Sequence, residues 1–165
     1  MGRHLADLGH RVIGHISGPS SYRSAHERHR GLIQGLADRG LTLDERYHLE
    51  GGYTFESGTE CARRLLALTP RPTAIFAGND EMAVGVYRAA HEAGLDIPRD
   101  LSVIGFDNSP LVSKVWPPLT SVRLPIRDMG SIAARKLLAQ TSGSPPEQDI
   151  TVSPVLVMRQ STAAP

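Results

Sequence analysis

The chain has 165 residues, of which 40% are apolar and 21% charged, with a formal net charge of +1 and a pI near 8.0. That length and apolar content suit one ordinary domain, or two small lobes, with a packed core. The near-neutral balance, with no basic run and no basic patch interleaved with aromatics, gives no argument for nucleic-acid binding.

The single cysteine, Cys61, excludes an internal disulfide and fits a reducing compartment. No apolar run approaches membrane length, and Met1-Gly2-Arg3-His4 leads into no signal-peptide core. The expected location is the cytoplasm.

In chain order, residues 3–8 read as the end of a helix stopped by Gly9, and residues 12–16 as a strand before the turn Ser17-Gly18-Pro19. The polar residues 20–27 are expected as a loop. From Glu27 to Arg39 the spacing predicts a helix with Leu32, Ile33 and Leu36 inward and Gly40 as its stop. Asp44-Glu45 turns the chain into a short strand over 46–49, followed by Gly51-Gly52-Tyr53. Residues 54–68 read as a helix with Cys61, Leu65 and Leu68 inward, so Cys61 is small core filling rather than a nucleophile.

The run from Arg71 to Asn108 organises the rest. Residues 73–77 are nearly all apolar between Pro72 and Gly78, as in a strand buried on both faces. Asn79 and Asp80 are helix starters, and Met82, Val86, Ala89, Ala90 and Ala93 follow at helical spacing. Gly94 ends that helix, Pro98 keeps it from resuming, and residues 102–106 form a second apolar strand. The unit is a right-handed βαβ with parallel strands. Asn79-Asp80 and Asp107-Asn108 follow its two strands, and open parallel sheets bind ligands outside their carboxyl ends. The competing reading is that these residues only cap helices and turns.

Beyond it, residues 109–118 are irregular, 120–124 strand-like, and Pro125 opens a helix through Met129, Ile132, Ala133 and Leu137. Residues 141–148 read as a loop and 155–159 as a last strand. No repeat recurs at a fixed period.

Several chemical devices are absent. There is no GxGxxG and no GxxxxGK[ST], so nucleotide binding by those loops is not expected, nor is any cofactor. Gly14-His15-Ile16-Ser17-Gly18 puts the serine one place late for a hydrolase elbow. His26 and His29 lie three apart near Glu27 without a third ligand at a recognisable spacing, so no metal site is expected. His4, His10, His15, His48 and His91 are read as surface or supporting residues. No nucleophile or general base has a visible partner, and no enzymatic activity is expected.

What is present suits a small polyhydroxylated ligand, which needs fixed donors and acceptors and an aromatic face. Arg28 offers a guanidinium, Asp107 a carboxylate, Asn79 an amide, and Tyr53 a ring beside the glycine pair. A solvated Arg28 and a core Tyr53 are the alternatives.

The segments LGHRVIGHISGP, RHRGLIQGLADRGL, GGYTFESG, RPTAIFAGNDEMAVGVYRAAHEAGLDIPRDLSVIGFDN, PPLTSVRLP and VLVMRQST, in this order, resemble the effector-binding core of the lactose-repressor (LacI) family of bacterial transcription regulators. That family shares its α/β fold with the two-lobed, parallel-sheet periplasmic sugar-binding proteins. The resemblance implies that Arg28, Asp107, Tyr53 and Asn79 contact the ligand and that Ser24, in a loop, adds a hydroxyl. It implies a nearly complete C-terminal lobe (52–124 with 153–165) and a partial N-terminal lobe (2–51 with 125–152). In the partial N-terminal lobe only residues 12–16, 46–49 and 150–152 are expected as strands. It also implies that the family's helix-turn-helix is absent from these 165 residues, so operator DNA is reached only through a longer parent. The ligand is expected to be a small sugar or nucleobase, the assembly a homodimer, and no membrane is involved. Many members carry glutamine where this chain has Leu124. The alternatives are a periplasmic-type sugar-binding protein and a small-molecule α/β enzyme.

Overall fold

The computed structural model describes residues 1–141 and 150–165. Its centre is the run that organises the sequence: β1 (Ile13–Ser17) lies beside β3 (Ala74–Ala77), which leads through α4 (Asp80–Glu92) to β4 (Ser102–Phe106). All residues of these three strands are buried, which is why the runs are almost continuously apolar. The Asn79 side chain caps α4 by accepting the Met82 amide at 2.9 Å, and Gly94, with φ +68, ends it in a left-handed conformation that favours glycine.

The preceding elements are α1 (Gly2–Asp7), α2 (Arg23–Ala37), a single helical turn at Glu45–Tyr47, β2 (His48–Glu50) and α3 (Phe55–Leu66). A turn at Pro110–Ser113, β5 (Thr120–Arg123), α5 (Ile126–Thr141) and β6 (Val155–Val157) follow. The sheet order is β2-β1-β3-β4-β5-β6, with β1 to β5 parallel and β6 antiparallel to β5. On one face, α3 and α4 pack Cys61, Leu65, Met82 and Val86 against Ile16, Ile75 and Val103. On the other, α1 and α2 pack Leu5, Leu32 and Leu36 against Ile13, Phe76 and Phe106. Cys61 is core filling as expected: its thiol is buried and its pKa pushed up by that burial.

The segment after β6 crosses the amino ends of the strands. Ser161, fully buried, takes the Thr120 amide on its hydroxyl at 2.8 Å and gives its own proton to the Val103 carbonyl at 2.6 Å. Ala163 exchanges hydrogen bonds with the Ser102 hydroxyl, and its carbonyl accepts from His10 Nε2 at 2.9 Å.

Four expectations are corrected. First, α2 begins at Arg23, so Ser24 stands in its first turn and not in a loop. That turn carries little apolar signal because it is held by Ala25 in the core and by ion pairs of Glu27 with Arg23 and Arg30. Second, Ile33 is mostly outward while Leu32 and Leu36 are buried. Third, residues 150–152 form no strand.

Fourth, the strands expected of two separate sheets form one. The boundary drawn between 51 and 52 falls between β2 and α3, yet β1 is hydrogen-bonded to both β2 and β3. The described element that stands apart is α5, which has no buried residue and exposes Ile126, Met129 and Leu137. The loop read over 141–148 lies almost wholly outside the described residues. Among the described residues no helix is long and apolar enough to cross a membrane.

Candidate functional site

The chain leaves β1 towards one face of the sheet through α2 and leaves β2 towards the other through α3. The switch point of this doubly wound sheet therefore lies at the carboxyl ends of β1 and β3, where such sheets hold ligands. Ser24, Arg28, Tyr53, Asn79 and Asp107 line one opening there, of about 280 Å³. All five residues named from the sequence meet in it.

Arg28 is the hub. Its Nη2 donates to Asp107 Oδ1 at 3.1 Å, and its Nη1 donates to the Gly78 carbonyl. The guanidinium carbon lies 3.9 Å from the centre of the Phe106 ring and 5.7 Å from that of Tyr53. Arg28 is thus largely buried, its plane fixed by a carbonyl, a carboxylate and a ring face. The Asp107 carboxylate remains half-exposed. Desolvation raises its pKa above the ordinary carboxylate value, outweighing the downward pull of Arg28, and the nearby Asp80 adds to the rise.

Tyr53 and Asp107 both hold left-handed backbones, with φ 63 and 108. Such conformations cost a side-chain-bearing residue on the order of 1–3 kcal/mol and concentrate at functional sites. Tyr53 is held by its carbonyl, which accepts from Asn79 Nδ2 at 3.0 Å. Its ring lies against Gly18, where an added Cβ would come within 1.9 Å of Cζ, so any side chain at position 18 would push the ring from this place. The Tyr53 hydroxyl is buried with no hydrogen-bond partner among the described residues.

The two polar pairs that follow β3 and β4 divide. Asn79 and Asp107 line the opening, whereas Asp80 and Asn108 turn away from it. Asp80 is buried, accepting from the Ser121 hydroxyl at 2.5 Å and the Ser109 amide at 2.6 Å, and burial raises its pKa against those bonds. Asn108 accepts from Arg159 at 2.7 Å. Asp80 is therefore a strut beneath the crevice, joining β3 to β5. Leu124 lines an adjoining depression with Ser24, Arg28 and Phe106, so the departure at that position adds an apolar wall beside Arg28.

Residues read as scattered are also brought together. His15 is fully buried and His29 and His48 half-buried, and their rings stack with centres 4.2–5.2 Å apart. His15 is therefore no surface residue. The signal was available: β1 is an apolar run between helices, so a histidine within it has nowhere to go but inside.

Residues 3–162 match the periplasmic binding protein-like domain. Catabolite control protein A of Priestia megaterium is 40% identical over 160 residues, covering 96% of this chain and 48% of that protein. A LacI-family regulatory protein from Chloroflexus aggregans is 40% identical with a TM-score of 0.91, covering 98% of this chain and 58% of that one. A complex of the transcriptional regulator CelR with cellobiose has a TM-score of 0.89 at 32% identity, covering 97% of this chain and 49% of that one. The chain spans about half the length of the curated relatives it matches. It belongs to the periplasmic binding protein-like domain family and carries the core fold of the LacI-type transcriptional regulators.

Proposed function

We propose that this chain is the sensing core of a transcriptional regulator and binds a small polyhydroxylated molecule, of the sugar class, without transforming it. The observation that supports this best is the Arg28–Asp107 pair at the mouth of an opening that Ser24, Tyr53 and Asn79 complete. A carboxylate and a guanidinium side by side match the mixed donors and acceptors of vicinal hydroxyls. The Tyr53 ring and Leu124 give the carbon face of a sugar something to cover. The cellobiose held by the CelR neighbour is of the same chemical class. No described side chain at the opening pairs a nucleophile with a base, which favours binding over turnover.

In the whole regulator, ligand binding would favour one arrangement of two lobes, and in a cytoplasmic homodimer that shift would reach an operator-reading head. Helix α5 is the described piece of the second lobe in this reading. Its apolar residues Ile126, Met129 and Leu137 are uncovered by the described residues, and in this reading they face further elements of that lobe.

The test is a thermal-shift screen of sugars and nucleobases, followed by calorimetry and product analysis on any hit. The reading expects a sugar to raise the melting temperature, Asp107→Ala to reduce that rise, and the sugar to be recovered unchanged. A nucleobase hit with no sugar hit, or a converted product, would reject it.

A further inference from the structure

A second site lies around the corner from the opening, on the α2 face of the sheet. β1, β2 and β3 place His15, His48 and Phe76 side by side in register, with ring centres 5.1 and 5.0 Å apart. α2 lowers His29 onto them. One ring nitrogen from each of the three histidines lies within 4.8 Å of the others.

The hydrogen bonds around the cluster fix which nitrogens carry lone pairs. His15 Nδ1–H donates to the Phe76 carbonyl at 3.1 Å, which leaves Nε2 with the lone pair. That Nε2 is fully buried and has no hydrogen-bond partner among the described residues, and neither has His29 Nδ1. His48 Nε2 meets the Ser17 hydroxyl at 3.0 Å, and that hydroxyl passes on to the Leu49 carbonyl at 3.4 Å. With Nε2–H as donor in that chain, His48 Nδ1 is the nitrogen left over. An imidazole whose distal N–H is held by a carbonyl or hydroxyl, with the other nitrogen bare, is the arrangement of a metal ligand and its orienting partner.

The surroundings agree. Burial pushes His15 down to about 3, so it stands as neutral imidazole. Glu45 and Glu50 set a negative field at His29 and His48, and Glu50 lines a small opening with His29 and His48 that gives access from solvent.

We propose that His15, His29 and His48 bind one divalent transition ion of the zinc class, through three neutral imidazoles with solvent as the fourth ligand. All-nitrogen donors suit zinc, cobalt and nickel over magnesium or calcium. Tetrahedral coordination with bonds of about 2.0–2.1 Å needs nitrogens about 3.3 Å apart, so nitrogens within 4.8 Å of one another have at most about 1.5 Å to close. The rings lie nearly parallel, at 9–19°. His29 and His48, the half-buried pair, therefore turn about their Cβ–Cγ bonds towards the fixed His15.

The experiment strips the 165-residue chain with chelator and titrates it with zinc chloride by calorimetry and with cobalt chloride by visible absorption. One equivalent should bind, with the intense bands of four-coordinate cobalt. H29Q and H48Q should each weaken zinc at least tenfold, and H15F, which keeps a ring on Phe76, should do the same. H91Q, on the exposed face of α4, should change nothing. The proposal is overturned if no zinc binds, if binding survives H29Q and H48Q, or if H91Q weakens it equally. Should H15F fail to fold, H29Q and H48Q decide alone.

Discussion

Asn79 serves two elements with one side chain: its Oδ1 caps α4 at the Met82 amide while its Nδ2 holds the Tyr53 carbonyl at 3.0 Å. Asn79→Ala should therefore lower stability by about 1 kcal/mol, the usual worth of an N-cap, and also release the Tyr53 backbone. Asn79→Asp separates the two effects. It caps as well but has no N–H to give Tyr53, so stability should stay near that of the parent while ligand affinity falls. Denaturant melts beside calorimetry would check this: unchanged affinity in Asn79→Asp would show that the Tyr53 link is idle, and equal stability losses in both variants would show that the link, not the cap, carries the stability.

Arg28 is too deeply engaged to act as a free ligand contact. Arg28→Ala should weaken ligand binding by about 1.5–3 kcal/mol, tenfold or more, and should lower the melting temperature as well, because Gly78 and Phe106 lose their partner. Asp107→Ala should weaken binding similarly with little effect on the fold, since its carboxylate is half-exposed. Arg28→Lys keeps the charge but loses the planar fork, and should behave more like Ala than like the parent. Calorimetry and melting curves on the three variants test the order.

The pH dependence of binding follows from Asp107. Its pKa is raised, and a hydroxylated ligand that donates to the carboxylate favours the ionised form. Bound protein then releases the proton more readily than free protein. Affinity should rise with pH and level off once the free carboxyl has ionised, at a pH above that of an ordinary aspartate. In Asp107→Asn the acid limb should vanish. Calorimetry across a pH series reads it directly.

Tyr53→Phe should bind ligand nearly as well as the parent and be no less stable, because it removes a buried hydroxyl that has no hydrogen-bond partner among the described residues. Tyr53→Ala should lose both the ring face towards the ligand and the packing on Gly18. If Phe loses as much affinity as Ala, the hydroxyl carries the contact.

The βαβ unit was legible because an apolar run, a capped helix and a second apolar run leave little else for residues 73–106 to form. Arg28, Tyr53, Asn79 and Asp107 could be named because each follows a strand end, and strand ends in parallel sheets face the same way. Register was harder. Nothing in the spacing says that His15 will lie opposite His48, because that pairing is settled by how β2 docks beside β1 after an intervening helix. The start of α2 was missed for a different reason: its first turn is stabilised by charge pairs on a solvated face, which leaves no apolar period to read. The division of the sheet in two follows from the resemblance to a two-lobed family, whereas hydrogen bonding joins β1 to a strand about sixty residues further along, Ile13 lying opposite Ala74.

α5 carries the clearest consequence for solution behaviour. Ile126, Met129 and Leu137 lie on one side of it and are exposed. Such a stripe is expected to drive concentration-dependent self-association of the 165-residue chain. Met129→Glu with Leu137→Glu should shift it to monomer, with the sheet's melting temperature unchanged. Light scattering over a concentration series would show a constant monomer mass if the stripe is inert.

The cross-tie by Ser161 and Ala163 sits at the amino ends of the strands, and the opening lined by Ser24, Arg28 and Asp107 at their carboxyl ends. The molecule therefore has a welded end and an editable end. A library varied at Ser24 and Leu124 would explore new ligand tastes on an unaltered chassis, whereas the same diversity spread over His10, Ser102 and Ser161 would be spent on broken frames.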